Sequence, residues 1–254
     1  MKVTFLGTGT STGCPMIGCD CEACLSNDPR DHRLRTSALV ETEGLHIQID
    51  IGPDFRQQML RSKNTRIDAL LLTHEHNDHV IGLDEIRRYN FLQKRAIYRY
   101  ASLQVQEDLK KRFGYIFNYP PYPGAPQIQV HTISKQESFF VEHLQVIPIQ
   151  AIHGNLPILG FRIKDFTYIT DIKSIEPEEL QKAIGSKILV VSALHQEAHF
   201  SHMNVAEAIA LAEIIAPEHT YFTHISHRMG VYKKVMPTLP KNVSLAYDEL
   251  IINL

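Results

Sequence analysis

Short apolar segments alternate with polar turns along the whole chain and predict a mixture of strands and helices. The predicted strands are Lys2–Gly7, Ser37–Glu41, Leu45–Ile51, Ala69–Leu72, two strand-rich stretches at Ser138–Ala151 and Leu159–Thr170, then Ile188–Ala193, Thr220–Thr223 and a final pair in Val243–Leu254. The predicted helices begin near Pro53 and at Asp78, the latter running to about Tyr89, and cover Ser102–Phe113, Glu178–Ile184 and Val205–Ile215. Strands and helices in this order favour an α/β (α+β) fold, with two mixed sheets packed together and helices outside.

The length of 254 residues suits one large domain, and no linker divides the chain. We therefore expect a single domain over residues 1–254. Residues 118–126 contain four prolines and are predicted to form a loop, which we interpret as an insertion or lid. Tyr119 and Tyr122 of this loop could line a pocket or could only pack against the surface.

Composition excludes several classes of protein. Apolar residues make up 44% of the chain, which is enough for a sizeable core and argues against disorder. A formal charge of -2 argues against non-specific binding to duplex DNA, which depends on an excess of Lys and Arg. No apolar run approaches the ~18 residues of a membrane span, and the N-terminus has no signal-peptide pattern, so we expect no membrane contact and a cytoplasmic location.

Histidines are concentrated in one short motif that directly follows a predicted apolar strand. His74, His76, Asp78 and His79 all lie within Thr73–His79. Imidazole and carboxylate groups are natural ligands for Zn, Mn or Fe ions. A polar surface loop that is rich in histidine by chance is the alternative interpretation. The sequence favours a metal site, because further ligands follow downstream.

These downstream candidates are His153, Asp171 and His224, and each follows an apolar stretch that reads as a strand. Taken singly, a His or Asp at a strand end is more often structural. Taken together with the motif, four separated segments deliver the same types of ligand at the same kind of position. The combined pattern predicts a site with two metal ions.

Three cysteines, Cys19, Cys21 and Cys24, lie within six residues. Their spacing and the expected reducing compartment argue against disulfides. Three thiolates with one distant ligand are typical of a structural zinc site, and three unmetallated thiols are the alternative. The fourth cysteine, Cys14, is either a spare ligand or, as we prefer, a small buried residue.

The motif His74–His79 matches the His-x-His-x-Asp-His signature, and the chain resembles the metallo-β-lactamase superfamily from Lys2 to its C-terminus. The resemblance implies a four-layer αββα sandwich with the metals at one edge. It also implies that Asp50 supports the metal loop. Its residue-by-residue match places one ion on His74, His76 and His153, the other on Asp78, His79 and His224, and Asp171 between them.

Within that superfamily, the cysteine segment Gly18–Cys24 and the stretch Thr223–His227 resemble the PhnP-type cyclic ribose phosphodiesterases. In that family the second histidine of the stretch completes the structural zinc site, which indicates His227. The family match also places a proposed general acid at His202. His195 and His199 are competitors for this role, and capping of the following helix at Asn204 is the structural alternative for His202.

The sequence thus predicts a phosphodiesterase with catalytic residues His202 and Asp78. Its two catalytic metals would be Mn or Zn, with Fe as a further option, and one structural Zn would bind at the cysteines. A hydroxide bridging the two catalytic ions would attack a small phosphodiester, such as a cyclic sugar or nucleotide phosphate. The alternatives are an RNA-processing nuclease of the same superfamily and a non-catalytic binder of nucleotide-like ligands. The relatives are commonly homodimers, and we expect the same here.

Overall fold

The computed structural model describes residues 1–118, 120 and 122–254. Tyr119 lies outside the described residues, and Tyr122 is an exposed side chain. The strands are β1 (Lys2–Gly7), β2 (Ser37–Thr42), β3 (Leu45–Ile49), β4 (Ala69–Leu71), β5 (Ile97–Ala101), β6 (Ile128–Thr132), β7 (Phe139–Val141), β8 (Leu144–His153), β9 (Leu156–Ile163), β10 (Phe166–Ile169), β11 (Ile188–Ser192), β12 (His219–Thr223), β13 (Val243–Leu245) and β14 (Ile251–Asn253).

The α-helices are α1 (Phe55–Ser62), α2 (Asn77–Val80), α3 (Ile86–Gln93), α4 (Leu103–Arg112), α5 (Gly114–Phe117), α6 (Pro177–Gln181), α7 (Val205–Ile215) and α8 (Tyr232–Val235). Short 3₁₀ turns cover Pro29–Asp31, Ile81–Glu85, His227–Met229 and Met236–Thr238. Among the described residues, no helix has the length and apolar character that crossing a membrane requires.

Two seven-stranded sheets form the centre of the described structure. Their strand orders are β14-β1-β2-β3-β4-β5-β6 and β13-β12-β11-β10-β9-β8-β7. Alternate residues of a strand point to opposite faces of its sheet. Val190 of β11 therefore packs between the sheets, whereas Leu189 and Val191 pack under the outer helices. The first sheet is covered in the same way on its outer face, where Leu39 and Leu70 meet apolar residues of α1, α3 and α4. The α/β fold with four αββα layers is thus confirmed.

The carboxyl ends of parallel strands meet at one edge of each sheet. In the first sheet β3 to β6 run parallel, and in the second sheet β10 to β13 run parallel. Asp50 follows β3, and Asp171 and His224 follow β10 and β12. The topology therefore brings polar side chains from distant parts of the sequence to neighbouring strand ends.

Two predictions are wrong: the extent of one helix and the pairing of the last two strands. The helix predicted from Asp78 to about Tyr89 is broken into α2, a 3₁₀ turn and α3. A Cβ added at Gly82, within this turn, would lie 2.3 Å from the carbonyl oxygen of Gly52, so the chain is pressed against a neighbouring segment there. The final strand pair is also wrong, because β13 joins the second sheet and β14 pairs with β1 in the first.

Candidate metal centres

The segment His74–His79 follows β4 and turns into α2. His74 and His79 are buried, and the centroids of their rings lie 4.2 Å apart. Nε2 of His74 also lies 3.0 Å from Nδ1 of His76, which is exposed. Three imidazoles of one loop therefore converge, with His76 on the solvent side.

The backbone of residues 50–52 holds this loop in place. The N–H of Ile51 donates to the carbonyl oxygen of His79 at 2.7 Å, and the N–H of Gly82 donates to that of Ile51 at 2.9 Å. A Cβ added at Gly52 would lie 2.0 Å from the carbonyl oxygen of Asp78. Only glycine allows this approach. No role was assigned to Gly52 from the sequence, where the only signal for one was its position two residues after Asp50.

Asp50 orients the loop through its side chain. It is fully buried and accepts hydrogen bonds from the N–H and Oγ1 of Thr73 at 2.9 and 2.8 Å. Its Oδ2 also lies 2.7 Å from Nδ1 of His79, which leaves Nε2 of that ring turned toward the other ligands. Burial raises the pKa of Asp50 despite the opposing effect of His79. The structure thus places Asp50 in the supporting position that the resemblance implied.

The second sheet contributes the remaining ligand candidates at its strand ends. His153 is the last residue of β8, and its Nδ1 donates to the carbonyl oxygen of Ser201 at 2.8 Å, so its Nε2 stays available. Asp171 and His224 have left-handed φ angles of 56° and 54°. This conformation is unusual outside glycine and is found where the surrounding structure enforces it. Here it occurs at two residues that face the same point.

The ligand atoms fall into overlapping groups, each with all atoms within 4.8 Å of one another. Asp171 lies close to residues of both predicted ligand sets. Its carboxylate oxygens are 3.2 Å from Nε2 of His79 and 3.0 Å from Nε2 of His224, and it shares groups with His74 and with His153. We use the name histidine–aspartate cluster for the seven predicted ligands His74, His76, Asp78, His79, His153, Asp171 and His224. The groups are His74, His76 and His153; Asp78, His79 and His224; His74, His79 and Asp171; and His153, Asp171 and His202. The first three match the two predicted ligand sets and the shared aspartate, the fourth adds His202 to their edge, and ion binding itself stays a prediction.

The cluster has the electrostatic character of a cation site. Nε2 of His79 and Nε2 of His224 are buried and face the carboxylate of Asp171, without a hydrogen bond of good geometry among the described residues. Burial alone would raise the pKa of Asp171, but His224 and His79 hold it well below its usual range. Burial also lowers the pKa of His74 well below the usual range. Against the effect of burial, the carboxylates of Asp171, Asp78 and Asp50 raise the pKa of His79 well above its usual range. A divalent cation would take the place of that proton, because metals bind ionised carboxylates and neutral imidazoles.

Three histidines were predicted as candidates for the general acid. Of these, His202 contacts the histidine–aspartate cluster in the described structure. Its ring centroid lies 4.4 Å from that of His153, and its Nδ1 lies 3.7 Å from Oδ1 of Asp171. His199 lies behind it, 5.3 Å between ring centroids, and His195 lies 5.9 Å from His199. Burial and the charge of His224 lower the pKa of His202 to about 3, against the effect of Asp171.

The helix-capping alternative for His202 is wrong. Asn204 caps α7 with its own side chain, which accepts from the N–H of Glu207 at 2.8 Å. The Glu207 side chain in turn accepts from the Asn204 N–H at 2.9 Å and completes a capping box. The imidazole of His202 is therefore not needed at the helix end.

The second group of possible ligands consists of Cys19, Cys21, Cys24 and His227, which we call the cysteine cluster. Nδ1 of His227 lies 3.2 Å from Sγ of Cys19 and 3.4 Å from Sγ of Cys21. Partial burial alone would raise the pKa of the Cys21 thiol, but the hydrogen bond from His227 lowers it to about 6. All four cysteines are free, and three thiols with one imidazole suit a tetrahedral zinc ion.

Cys14 lies outside the cysteine cluster. It is buried and packs with Ala23, Cys24 and Val231 in a small apolar group. This agrees with the interpretation of Cys14 as a small buried residue.

One short segment connects the two clusters. His224 belongs to the histidine–aspartate cluster and His227 to the cysteine cluster. Between them, Ile225 pairs with the N-terminal loop: its N–H donates to the Thr8 carbonyl oxygen at 2.8 Å, and its own carbonyl oxygen accepts from Thr10 at 3.1 Å. The backbone therefore ties the position of one cluster to that of the other.

A cavity of about 450 Å³ lies against the solvent side of the histidine–aspartate cluster. Its lining residues are His76, His153, Gly154, Asn155, Leu156, Phe200 and Ser201. Two ligand candidates thus form part of its wall. Sequence reasoning did not single out Phe200, because an aromatic residue in a polar stretch has no chemical signature of its own.

The family model described as "Beta-lactamase superfamily domain" matches residues 46–225, so the chain belongs to this superfamily. The crystal structure of a diphosphatase from the PhnP family superposes with a TM-score of 0.92 at 37% identity and covers 99% of this chain and 96% of that one. Within the superfamily, the chain therefore belongs to the PhnP family. The Zn²⁺-bound PqqB of Methylobacterium extorquens has the same fold, with a TM-score of 0.82 at 19% identity over 100% of both chains.

Curated proteins with several different names are similar in sequence. An octanoyltransferase of Porphyromonas gingivalis is 38% identical over 252 residues, which are 98% of this chain and 51% of that protein. A ribonuclease Z of Acaryochloris marina is 28% identical over 173 residues, covering 65% of this chain and 48% of that protein. The chain spans about half the length of these curated relatives, so their names do not define its activity.

Proposed function

We propose that this protein is a metal-dependent phosphodiesterase that hydrolyses a small phosphodiester, such as a cyclic phosphate of a sugar or nucleotide. The observation that carries the proposal is Asp171, which lies close to His79 and His224 of one ligand set and shares groups with His74 and His153 of the other. An open cavity lined by His76 and His153 lies next to these residues. Membership of a superfamily of hydrolases and the similarity to a PhnP-family diphosphatase support it.

The histidine–aspartate cluster would hold two divalent cations, one on each of its ligand sets, with Asp171 shared. When bound, such a pair supplies a water of lowered pKa and neutralises charge on the phosphate. The protein contributes rigid placement, because Asp50 fixes the His79 ring and the carbonyl of Ser201 fixes the His153 ring. Such supporting partners are worth about 10–100-fold in metal affinity or activity. Zinc, manganese and iron all suit this mixture of ligands.

His202 would protonate the leaving oxygen. Its ring contacts His153 and His224, so it lies beside the position where a phosphate would bind. An anionic phosphate next to the ring favours its charged form and opposes the effects that lower its pKa. The neighbours His195 and His199 lie further from the cluster and would act only through His202.

The cysteine cluster would hold a structural zinc ion. Its four groups complete a tetrahedral set and leave no position open for a substrate. Its contribution to activity would be indirect, through the segment that also carries His224.

Elemental analysis and turnover test the proposal directly. We expect protein purified without added metal to contain zinc, and protein supplemented with Mn²⁺ or Zn²⁺ to hydrolyse bis-p-nitrophenyl phosphate and at least one cyclic phosphate. A fully metallated protein that hydrolysed none of these esters would contradict the proposal. If it still bound nucleotides, the non-catalytic alternative would be favoured.

A diphosphate bond is a second candidate substrate, and the PhnP-family diphosphatase favours it. The same cluster could act on a phosphorus–oxygen–phosphorus bridge, because it stabilises the same type of charge. Parallel assays with a dinucleoside diphosphate and a cyclic phosphate would rank the two. Cleavage of tRNA at a comparable rate would instead favour the nuclease alternative. The similarity to ribonuclease Z is the reason for including this assay.

A further inference from the structure

Phe200 is an exposed aromatic residue that follows an exposed stretch, residues 196–198. Its side chain is 82% exposed, whereas the next two residues, Ser201 and His202, are buried. It belongs to none of the apolar clusters of the described structure. A Phe side chain left in water forgoes about 1.5–3 kcal/mol that its burial would contribute, so Phe200 adds little to the stability of the fold.

The ring lies at the entrance to the histidine–aspartate cluster. Phe200 lines the same cavity as the ligand candidates His76 and His153. A Cβ added at Gly154, the residue after His153, would lie 4.0 Å from Cε2 of Phe200. The ring therefore lies on the wall of the same cavity as His153, beside the residue that follows this ligand candidate.

The backbone that directly follows Phe200 is fixed although the ring is exposed. The carbonyl oxygen of Ser201 accepts from Nδ1 of His153 at 2.8 Å, and the N–H of Met203 donates to the carbonyl oxygen of Ile172 at 2.8 Å. The ring of His199 lies 4.8 Å from that of Phe200, between centroids, and limits its movement on one side. A ring held in this way loses little entropy when a ligand covers it.

We propose that Phe200 is a specificity-determining residue that stacks on the heteroaromatic base of a nucleotide whose phosphate occupies the histidine–aspartate cluster. This proposal rests on the proposed function and narrows its substrate class from phosphodiesters in general to nucleotides. Every nucleobase presents a flat π face, and the ring of Phe200 offers one beside the polar residues Asn155 and Ser201. A sugar phosphate without a base would leave the ring uncovered.

The test compares ligands that differ only in the base. Calorimetric titration of the metallated protein with AMP and with ribose 5-phosphate measures binding without turnover. We expect AMP to bind about 5- to 150-fold more tightly, which is the usual worth of base stacking on an aromatic residue. Phe200→Ala should remove this difference by weakening AMP alone, and Phe200→Trp should keep it. Phe140→Ala, which removes an exposed Phe of β7, should behave like the wild type.

Turnover separates this proposal from the proposed function. With adenosine 2′,3′-cyclic phosphate, Phe200→Ala should raise KM by a similar factor with little change in kcat, and the abasic methyl riboside 2′,3′-cyclic phosphate should show no change. Equal binding of AMP and ribose 5-phosphate by the wild type would overturn the stacking proposal, as would an equal loss of both ligands in Phe200→Ala. A protein that prefers AMP but hydrolyses no ester would instead support stacking and contradict the phosphodiesterase proposal.

Discussion

The histidine–aspartate cluster and the cysteine cluster lie at the two ends of the segment 224–227, yet they are supported in different ways. The first is assembled from strand ends of both sheets, and Asp50, Thr73 and Ser201 fix its side chains. The second takes its thiols from a loop without strands or helices and gains one imidazole from the segment. The fold thus positions the first set of ligands, whereas the second depends on its ligands to hold the loop.

This difference has an energetic consequence. Sheet edges and buried hydrogen bonds persist whether or not an ion is bound, so removing a ligand of the histidine–aspartate cluster should change chemistry more than stability. A metal that closes a loop contributes its binding energy to folding. Removing a ligand of the cysteine cluster should therefore change stability more than chemistry.

The largest effect is expected for Asp171→Ala. Supporting partners of metal ligands are worth about 10–100-fold, so loss of the shared carboxylate should lower kcat/KM by more than about 100-fold. Elemental analysis should show loss of metal from this cluster and retention of one zinc per chain by the cysteines. Asp165→Ala, which removes only a surface ion pair with Lys187, is the control. Full activity of Asp171→Ala would end the two-metal interpretation.

His202→Asn should lower kcat by about 10²–10⁴-fold for esters with an alkoxide leaving group, which needs a proton. For a p-nitrophenyl ester the loss should be small, because that leaving group departs without one. The pH profile of kcat should also lose its basic limb, since only the protonated imidazole can donate. His199→Asn is the matched control. If it produced the leaving-group dependence instead, the acid would be His199.

Gly52→Ala tests whether the backbone contact at Gly52 positions the histidine–aspartate cluster. The added Cβ would push the Asp78 carbonyl away, and misplacement of a catalytic loop by about 1 Å can cost about 100-fold in rate. Gly114→Ala, where the nearest atom would be 3.6 Å away, should be silent. Kinetics of both variants at equal metal content would check this. A fully active Gly52→Ala variant would show that the loop tolerates displacement.

The smallest effect on activity is expected for Cys21→Ser. This variant should lose one zinc per chain, and its Tm should fall by about 5 °C or more, while kcat/KM below that temperature changes little. Cys14→Ser should keep the zinc, because Cys14 lies outside the cluster. Unchanged metal content in Cys21→Ser would refute the zinc assignment, and an early loss of activity would mean that the two clusters are coupled through residues 224–227.

Local signals predicted much of the fold. The helix Val205–Ile215 has the predicted bounds, and the strands predicted at Ser37–Glu41 and Leu45–Ile51 correspond to β2 and β3. The interrupted helix after Asp78 was missed because its cause is a contact between Gly82 and Gly52, far apart in sequence. The separation of β13 from β14 was missed because pairing with β1 depends on the opposite end of the chain.

The sequence by itself determined which chemical groups are present: imidazoles and carboxylates after apolar strands, and thiols at close spacing in a loop. Alternation along each strand and the identity of each ligand are properties of short segments. The tertiary structure decided which groups meet. Asp171 lies between His79 and His224, and Phe200 stands beside His153, because strand order and parallel direction bring distant chain segments to one edge. Such contacts depend on how whole sheets pack, which no local pattern encodes.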